Sequence, residues 1–284
     1  MSENCSIPSS KEPHGCLENS GPQKRLSMNL PYSGFLQPSP KRRFEEVIVF
    51  VHHFGGHPKQ LSKHILFVNE LGFDAVAFQL RLATLTQIFR PALTRNHKWG
   101  VGKVWEEQIT DILSAIDRPK ILMTFSSPSG AALKAISERP AGDVVAAVCE
   151  GGPFSQAGRG YWNYLTYELK VKNPILRAGL VTVAYALLGG SSLLGYPQKR
   201  LQKLPKGFPL LSVRAWEDRL VSNHSIEEFL KGLEHLAVEV LSLPEVGHLQ
   251  GLSRAPKEYK SRVKSFLLSN ATAIKTVEKA NNNP

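Results

Sequence analysis

Cysteine is scarce in this 284-residue chain: there are three, Cys5, Cys16 and Cys149, and none has a partner at C-x-x-C spacing. An odd set with two members in a polar N-terminal stretch argues against a disulfide scaffold and against structural zinc. A Gly-rich phosphate loop, a dinucleotide fingerprint and a metal-ligand cluster are all missing, so neither a cofactor nor a metal is expected. No internal repeat is present. A secretory apolar region is missing too, because no run of seven or more apolar residues follows the first positive charges. The expected compartment is therefore the cytoplasm. Acid is short: 24 Asp and Glu face 35 Lys and Arg, leaving a net charge of +11. That excess brings anionic substrates, membrane surfaces and nucleic acid into consideration without choosing among them.

What is present begins with a polar leader. Residues 1–44 are rich in Ser, Pro, Asn and Lys and carry no apolar periodicity that would offset the entropy of ordering, so disorder is expected there. Met28 within it is a second candidate start of translation. From Glu45 the texture changes. Val47 to Val51 is a β-branched and aromatic run of the kind buried on both faces of a parallel sheet. Leu61, Ile65, Val68 and Leu71 then follow at spacings of 4, 3 and 3, an amphipathic helix stopped by Gly72. Strands are expected at 73–80, 121–125, 144–149, 208–213 and 238–243, with helices near 105–116, from Ser129, at 226–236 and at 259–274. Residues 96–105 read as a glycine-bearing loop. Strand alternating with helix is the mark of a doubly wound, mostly parallel α/β sheet.

The alternation lapses over residues 155–204, an aromatic-rich helical insert read as a cap over a core made of 45–154 and 205–274, with 275–284 as tail. The insert holds Arg159, Lys170, Lys172, Arg177, Lys199, Arg200 and Lys203 against Glu168 alone, a net +6, whereas the leader carries +3 and the core only +2. Residues 178–194 contain no charge and approach the length of a bilayer span. Gly189-Gly190-Ser191-Ser192 interrupts them, however, and a segment between two strands of one sheet cannot cross a membrane without tearing that sheet apart. An apolar helical hairpin covering the strand ends and lining an acyl-shaped pocket is the better expectation. Its basic flanks and apolar middle also suit peripheral contact with an anionic membrane. Nucleic acid has only charge in its favour, since no aromatic or Gly-Arg pattern accompanies Pro40-Lys41-Arg42-Arg43.

Reactive groups of an open α/β sheet sit at the carboxyl ends of its strands. Those positions hold His52-His53-Phe54-Gly55-Gly56, Ser126-Ser127-Pro128-Ser129-Gly130, Trp216-Glu217-Asp218 and Val246-Gly247-His248-Leu249. Their order, serine then acid then histidine, is that of the α/β-hydrolases and of neither protease class with the same triad. Residues 47 to about 268 accordingly resemble the α/β-hydrolase superfamily, including the 96–103 loop Asn-His-Lys-Trp-Gly-Val-Gly-Lys before the helix that precedes the elbow strand. The resemblance implies Asp218 as orienting acid, His248 as base and the Phe54 backbone N–H as an oxyanion donor. His53 stands where the family usually has glycine.

Counting in from Pro119-Lys120 and back from Pro140, the family spacing places Ser127 in the nucleophile slot. That register puts Phe125 at a position needing a small residue, and Pro128 where the following N–H should donate to the oxyanion. Ser129 is the alternative nucleophile, flanked by small residues and followed by a free Gly130 N–H. Glu150 is the alternative acid. The expectation is a serine hydrolase acting on an ester-like bond (carboxylester, thioester or lipid acyl) of a small-molecule acyl substrate. Its competitor is a catalytically inactive hydrolase-fold protein that binds a ligand or partner.

Overall fold

The computed structural model describes residues 29–82, 84, 100–187 and 196–274. Seven strands form one sheet: β1 (Phe35–Gln37), β2 (Val47–Val51), β3 (Asp74–Ala77), β4 (Lys120–Phe125), β5 (Val144–Glu150), β6 (Pro209–Ala215) and β7 (Ala237–Leu243). Their order across the sheet is β1-β3-β2-β4-β5-β6-β7, with β1 antiparallel to β3 and every other pair parallel. The chain leaves β2 to one side for β3 and then returns to place β4 on the other side. The loops after β2 and β4 therefore diverge at the sheet's switch point, which opens a crevice between them.

Nine helices complete the described residues: α1 (Ser62–Leu71), α2 (Val101–Ser114), α3 (Pro128–Ser137), α4 (Ala157–Tyr167), α5 (Pro174–Leu187), α6 (Tyr196–Leu201), α7 (Asn223–Leu230), α8 (Gly251–Arg254) and α9 (Pro256–Ser269). The central strands bury both faces, and alternate residues feed two cores. Val47, Val49 and Val51 pack with Trp105, Ile109 and Ile112 of α2 and with Leu133 of α3. Ile48 and Phe50 face the other way, onto Ile65 and Val68 of α1 and Tyr259 and Val263 of α9. This period of two in an all-apolar run is how one strand serves helices on both sides.

Two expectations need correction here. Disorder up to residue 44 does not hold for the described part, 29–44. Leu30 is buried in the first core, β1 pairs with β3, and Phe44 stacks on Phe73 with ring centroids 4.2 Å apart. A three-residue edge strand leaves little periodicity to read, and its burial comes from the sheet it joins. Residues 1–28 lie outside the described residues, as do 275–284. The second correction concerns 96–105: α2 begins at Val101, earlier than expected, while 96–99 are not among the described residues. Among those residues no helix is long and apolar enough to cross a membrane.

Candidate active site

The turn after β4 carries the most constrained backbone near the crevice. Ser126 has φ +59°, a left-handed conformation uncommon for a residue with a side chain. The next residue, Ser127, is right-handed helical at φ −57°, ψ −34°, directly ahead of Pro128, where a proline normally pushes its predecessor toward extended backbone. Two disfavoured residues in a row persist only where surrounding contacts over-determine them. Those contacts are visible. The Ser126 N–H donates to the Glu150 carbonyl at the end of β5 (2.8 Å), and the Ser126 carbonyl accepts the Ser129 N–H (3.0 Å). Gly152 closes the arrangement from beneath, since a Cβ there would lie 2.5 Å from the Ser126 carbonyl oxygen. Proline at the first helical position, where a missing N–H costs nothing, then starts α3.

Ser126 is thereby lifted out of the strand toward the loops after β6 and β7. His248 Nε2 lies 3.0 Å from Ser126 Oγ, and His248 Nδ1 lies 2.6 Å from Asp218 Oδ2. The Asp218 side chain is only 2 % exposed, and its other oxygen, Oδ1, accepts the N–H groups of Leu220 and Val221 at 2.8 Å each. Both carboxylate oxygens are thus engaged, one holding the loop and the other holding the imidazole. Because Asp218 accepts at Nδ1, that nitrogen carries the proton and Nε2 presents a lone pair to the serine. Gly151, at φ +63°, lets the imidazole lie close: a Cβ there would meet the ring at 3.1 Å.

The structure thus brings Asp218 and His248 together, and the serine that reaches the imidazole is Ser126. Neither Ser127 nor Ser129 reaches the imidazole. Ser127 is the N-cap residue of α3, and with Tyr161 of α4 it lines the crevice. Ser129 is fully buried, accepting a hydrogen bond from Thr124 Oγ1 at 2.9 Å. Glu150 is also placed elsewhere. Its buried carboxylate accepts the Gly251 N–H (3.1 Å) and the Tyr259 hydroxyl (2.9 Å), with His64 Nε2 at 3.8 Å, and makes no hydrogen bond to His248. Three serines in four positions made the register ambiguous in sequence. The signal that would have resolved it is Pro128 at the first helical position, which makes Ser127 the cap and Ser126 the turn residue.

A cavity of about 470 Å³ opens over Ser126 and His248. His53, Phe54 and Ser127 line its floor, and Phe154, Tyr161, Tyr164, Leu220, Val221 and Leu249 give it an aromatic and aliphatic wall. Among the described residues neither the Phe54 N–H nor the Ser127 N–H is taken up by another acceptor. Burial holds the His53 imidazole below its ordinary range, and the neighbouring His52 and His248 push the same way. Burial raises the Tyr161 phenol above its ordinary range, so it stays neutral at physiological pH. Helix α4 supplies Gly160, Tyr161, Tyr164 and the adjoining Glu168 to the cavity, while no residue of α5 reaches it. Among the described residues, no group of three or more His, Cys, Asp or Glu is arranged to hold a metal.

No protein-family model matches this chain, and no curated protein does. Solved structures do. An esterase of Pyrococcus furiosus superposes with a TM-score of 0.58 at 15% identity, covering 89% of this chain and 96% of its own. A thermostable carboxyl esterase from Bacillus coagulans gives 0.56 at 17% identity over 84% and 93% of the two chains. A monoacylglycerol lipase of Paleococcus ferrophilus gives 0.53 at 15% over 84% and 98%. At such identities the likeness is one of architecture, and it agrees with the sheet order and with strand-end groups in the sequence serine, acid, histidine. The chain has the α/β-hydrolase fold.

Proposed function

We propose that this protein is a serine hydrolase that cleaves an ester-like bond, with Ser126 as nucleophile, His248 as base and Asp218 as the acid that orients it. The observation carrying this reading is the continuous hydrogen-bonded chain Ser126 Oγ–His248–Asp218, at 3.0 and 2.6 Å. In it, Ser126 Oγ attacks the carbonyl carbon as His248 Nε2 takes its proton. His248 then returns that proton to the leaving oxygen or sulfur, and a water repeats the sequence to release the acid. The developing oxyanion falls to the N–H groups of Phe54 and Ser127. The difficulty posed by Pro128 disappears, because the residue after Ser126 is Ser127, which has an N–H. Losing such a donor would have cost about 10²–10³ in turnover, and that loss was the main ground for the non-catalytic alternative. The aromatic and aliphatic cavity wall suits an acyl or other apolar moiety next to the reacting carbonyl.

Labelling by a fluorophosphonate probe, alongside hydrolysis of p-nitrophenyl butyrate, tests the assignment. Ser126→Ala is expected to abolish labelling and to lower kcat at least about 10³-fold, while Ser129→Ala keeps both within about tenfold. Labelling that survives in Ser126→Ala would remove Ser126 as nucleophile. A wild-type protein that is neither labelled nor active would favour the binding-module reading.

A further inference from the structure

Helix α5 is packed unlike the other long helices. None of its fourteen residues is buried. Ile175 is 82 % exposed, Leu176 55 %, Leu180 40 % and Val183 56 %, and Tyr167 and Leu169 extend the same apolar surface from the end of α4. The opposite face, through Arg177, Val181 and Ala184, is half-buried, with Ala184 against the first core. The spacing of 4 and 3 on that inner face means that α5 is held by one stripe and presents its more apolar stripe outward. Contiguous apolar surface of this kind on an otherwise well-packed fold marks a site of contact.

Charge identifies what would cover it. Arg159, Lys170, Lys172 and Arg177 surround α4 and α5, and none of them forms a salt bridge among the described residues. Arg177 stacks on Trp162 at 4.8 Å and donates to the Val171 carbonyl, which leaves its charge uncompensated. Elsewhere in the insert two of the three cations are committed: Arg200 pairs with Glu106 and Glu138, and Lys203 with Glu138, which leaves Lys199 exposed on α6. Four of the insert's five cations without a salt bridge among the described residues therefore lie beside the exposed apolar helix. Apolar side chains pointing outward with cations at their flank match a bilayer surface bearing anionic headgroups, where the apolar groups enter the acyl boundary and the cations meet phosphate or carboxylate.

We infer that α5, with the basic segment joining it to α4, is a docking face for an anionic lipid bilayer. Since α4 packs on α5 and lines the cavity over Ser126, docking sets the cavity wall beside the lipid surface. The binding claim does not depend on the hydrolase reading. It is tested by flotation of the full chain with vesicles of phosphatidylcholine alone or with about 30% phosphatidylserine. The wild type is expected to float with the anionic vesicles, at least about fivefold more than with neutral ones, and to lose most of that binding when NaCl is raised from about 0.1 to 0.5 M. Ile175→Glu with Leu180→Glu removes the apolar half, and Lys170→Glu with Lys172→Glu removes the charge preference. Both variants keep a wild-type circular dichroism spectrum, because every substituted side chain is exposed. The inference is overturned if the chain does not float with anionic vesicles, if either pair leaves flotation unchanged, or if light scattering shows a dimer that Ile175→Glu with Leu180→Glu dissociates.

Discussion

At the scale of single residues, the site depends on three conformational or hydrogen-bonding specialisations. Ser126 adopts a left-handed backbone, Asp218 spends one oxygen on two N–H groups and the other on His248, and Gly152 leaves room for the Ser126 carbonyl. Asp218→Asn preserves the acceptor for Leu220 and Val221 but replaces the oxygen facing Nδ1 by a group of the opposite preference, which favours the wrong tautomer. The expected result is a loss of kcat of about 10³–10⁴ with a near-native melting temperature, read from ester hydrolysis and thermal denaturation. A loss below tenfold would remove Asp218 from the mechanism. Gly152→Ala forces a methyl against the Ser126 carbonyl at 2.5 Å, so the turn must shift. We expect activity to fall at least about tenfold, since sub-ångström errors at a nucleophile are costly.

At the scale of elements, Glu150 joins three of them. Its carbonyl holds the Ser126 turn, while its side chain accepts from Gly251 at the start of α8 and from Tyr259 of α9. Glu150→Ala strands two buried donors, each worth about 1–3 kcal/mol, so urea denaturation should show a loss of about 2–5 kcal/mol. Glu150→Gln retains an acceptor oxygen and should lose less, with kcat within about tenfold of wild type. A kcat loss in Glu150→Gln as large as that of Asp218→Asn would return Glu150 to the position of acid. This element-level role was not legible in sequence. Glu150 shares a strand face with Ala146 and Val148, the face that packs against α9, but the groups that meet its carboxylate lie 101 and 109 residues further along the chain. The helices and strands themselves were legible, because continuous apolar runs and 3.6-residue spacing do not depend on distant contacts. Edge strand β1, with three residues paired on one side only, to β3, had no such signature.

At the scale of the whole molecule, burial sets a limit on alkaline stability. Cys149 is fully buried, and desolvation pushes its thiol from an ordinary 9.0 up to about 12. Between those values the unfolded chain has lost the proton and the folded chain has kept it. The unfolded state therefore binds fewer protons, and stability falls as pH rises. The slope approaches about 1.4 kcal/mol per pH unit for that one group. Tyr259, raised well above its ordinary 10.0 by burial and the adjacent Glu150, adds the same sign of slope only above pH 10. Chemical denaturation between pH 9 and 10 should accordingly show a declining unfolding free energy that Cys149→Ala flattens. An unchanged slope in that variant would show that other groups carry it. The 35 Lys and Arg side chains also divide at this scale: some pair with Glu106, Glu138, Asp74 and Asp143, while Arg159, Lys170, Lys172 and Arg177, around α4 and α5, form no salt bridge among the described residues.

The sequence by itself determined the fold class, the order of the strand-end groups, and the identity of Asp218 and His248 as residues placed after strands. These follow from local periodicity and from chain order, which any one segment carries within itself. Only the tertiary structure decided which of three serines meets the imidazole, which groups Glu150 meets and which face of α5 is left open. Each of these depends on distances between segments remote in sequence. Ser126 and His248 are 122 residues apart, and they meet because parallel strands β4, β5, β6 and β7 end side by side in register. A shift of one residue along the Ser126-Ser127 turn is invisible to spacing in the sequence. In space it exchanges a side chain that meets His248 for one that does not.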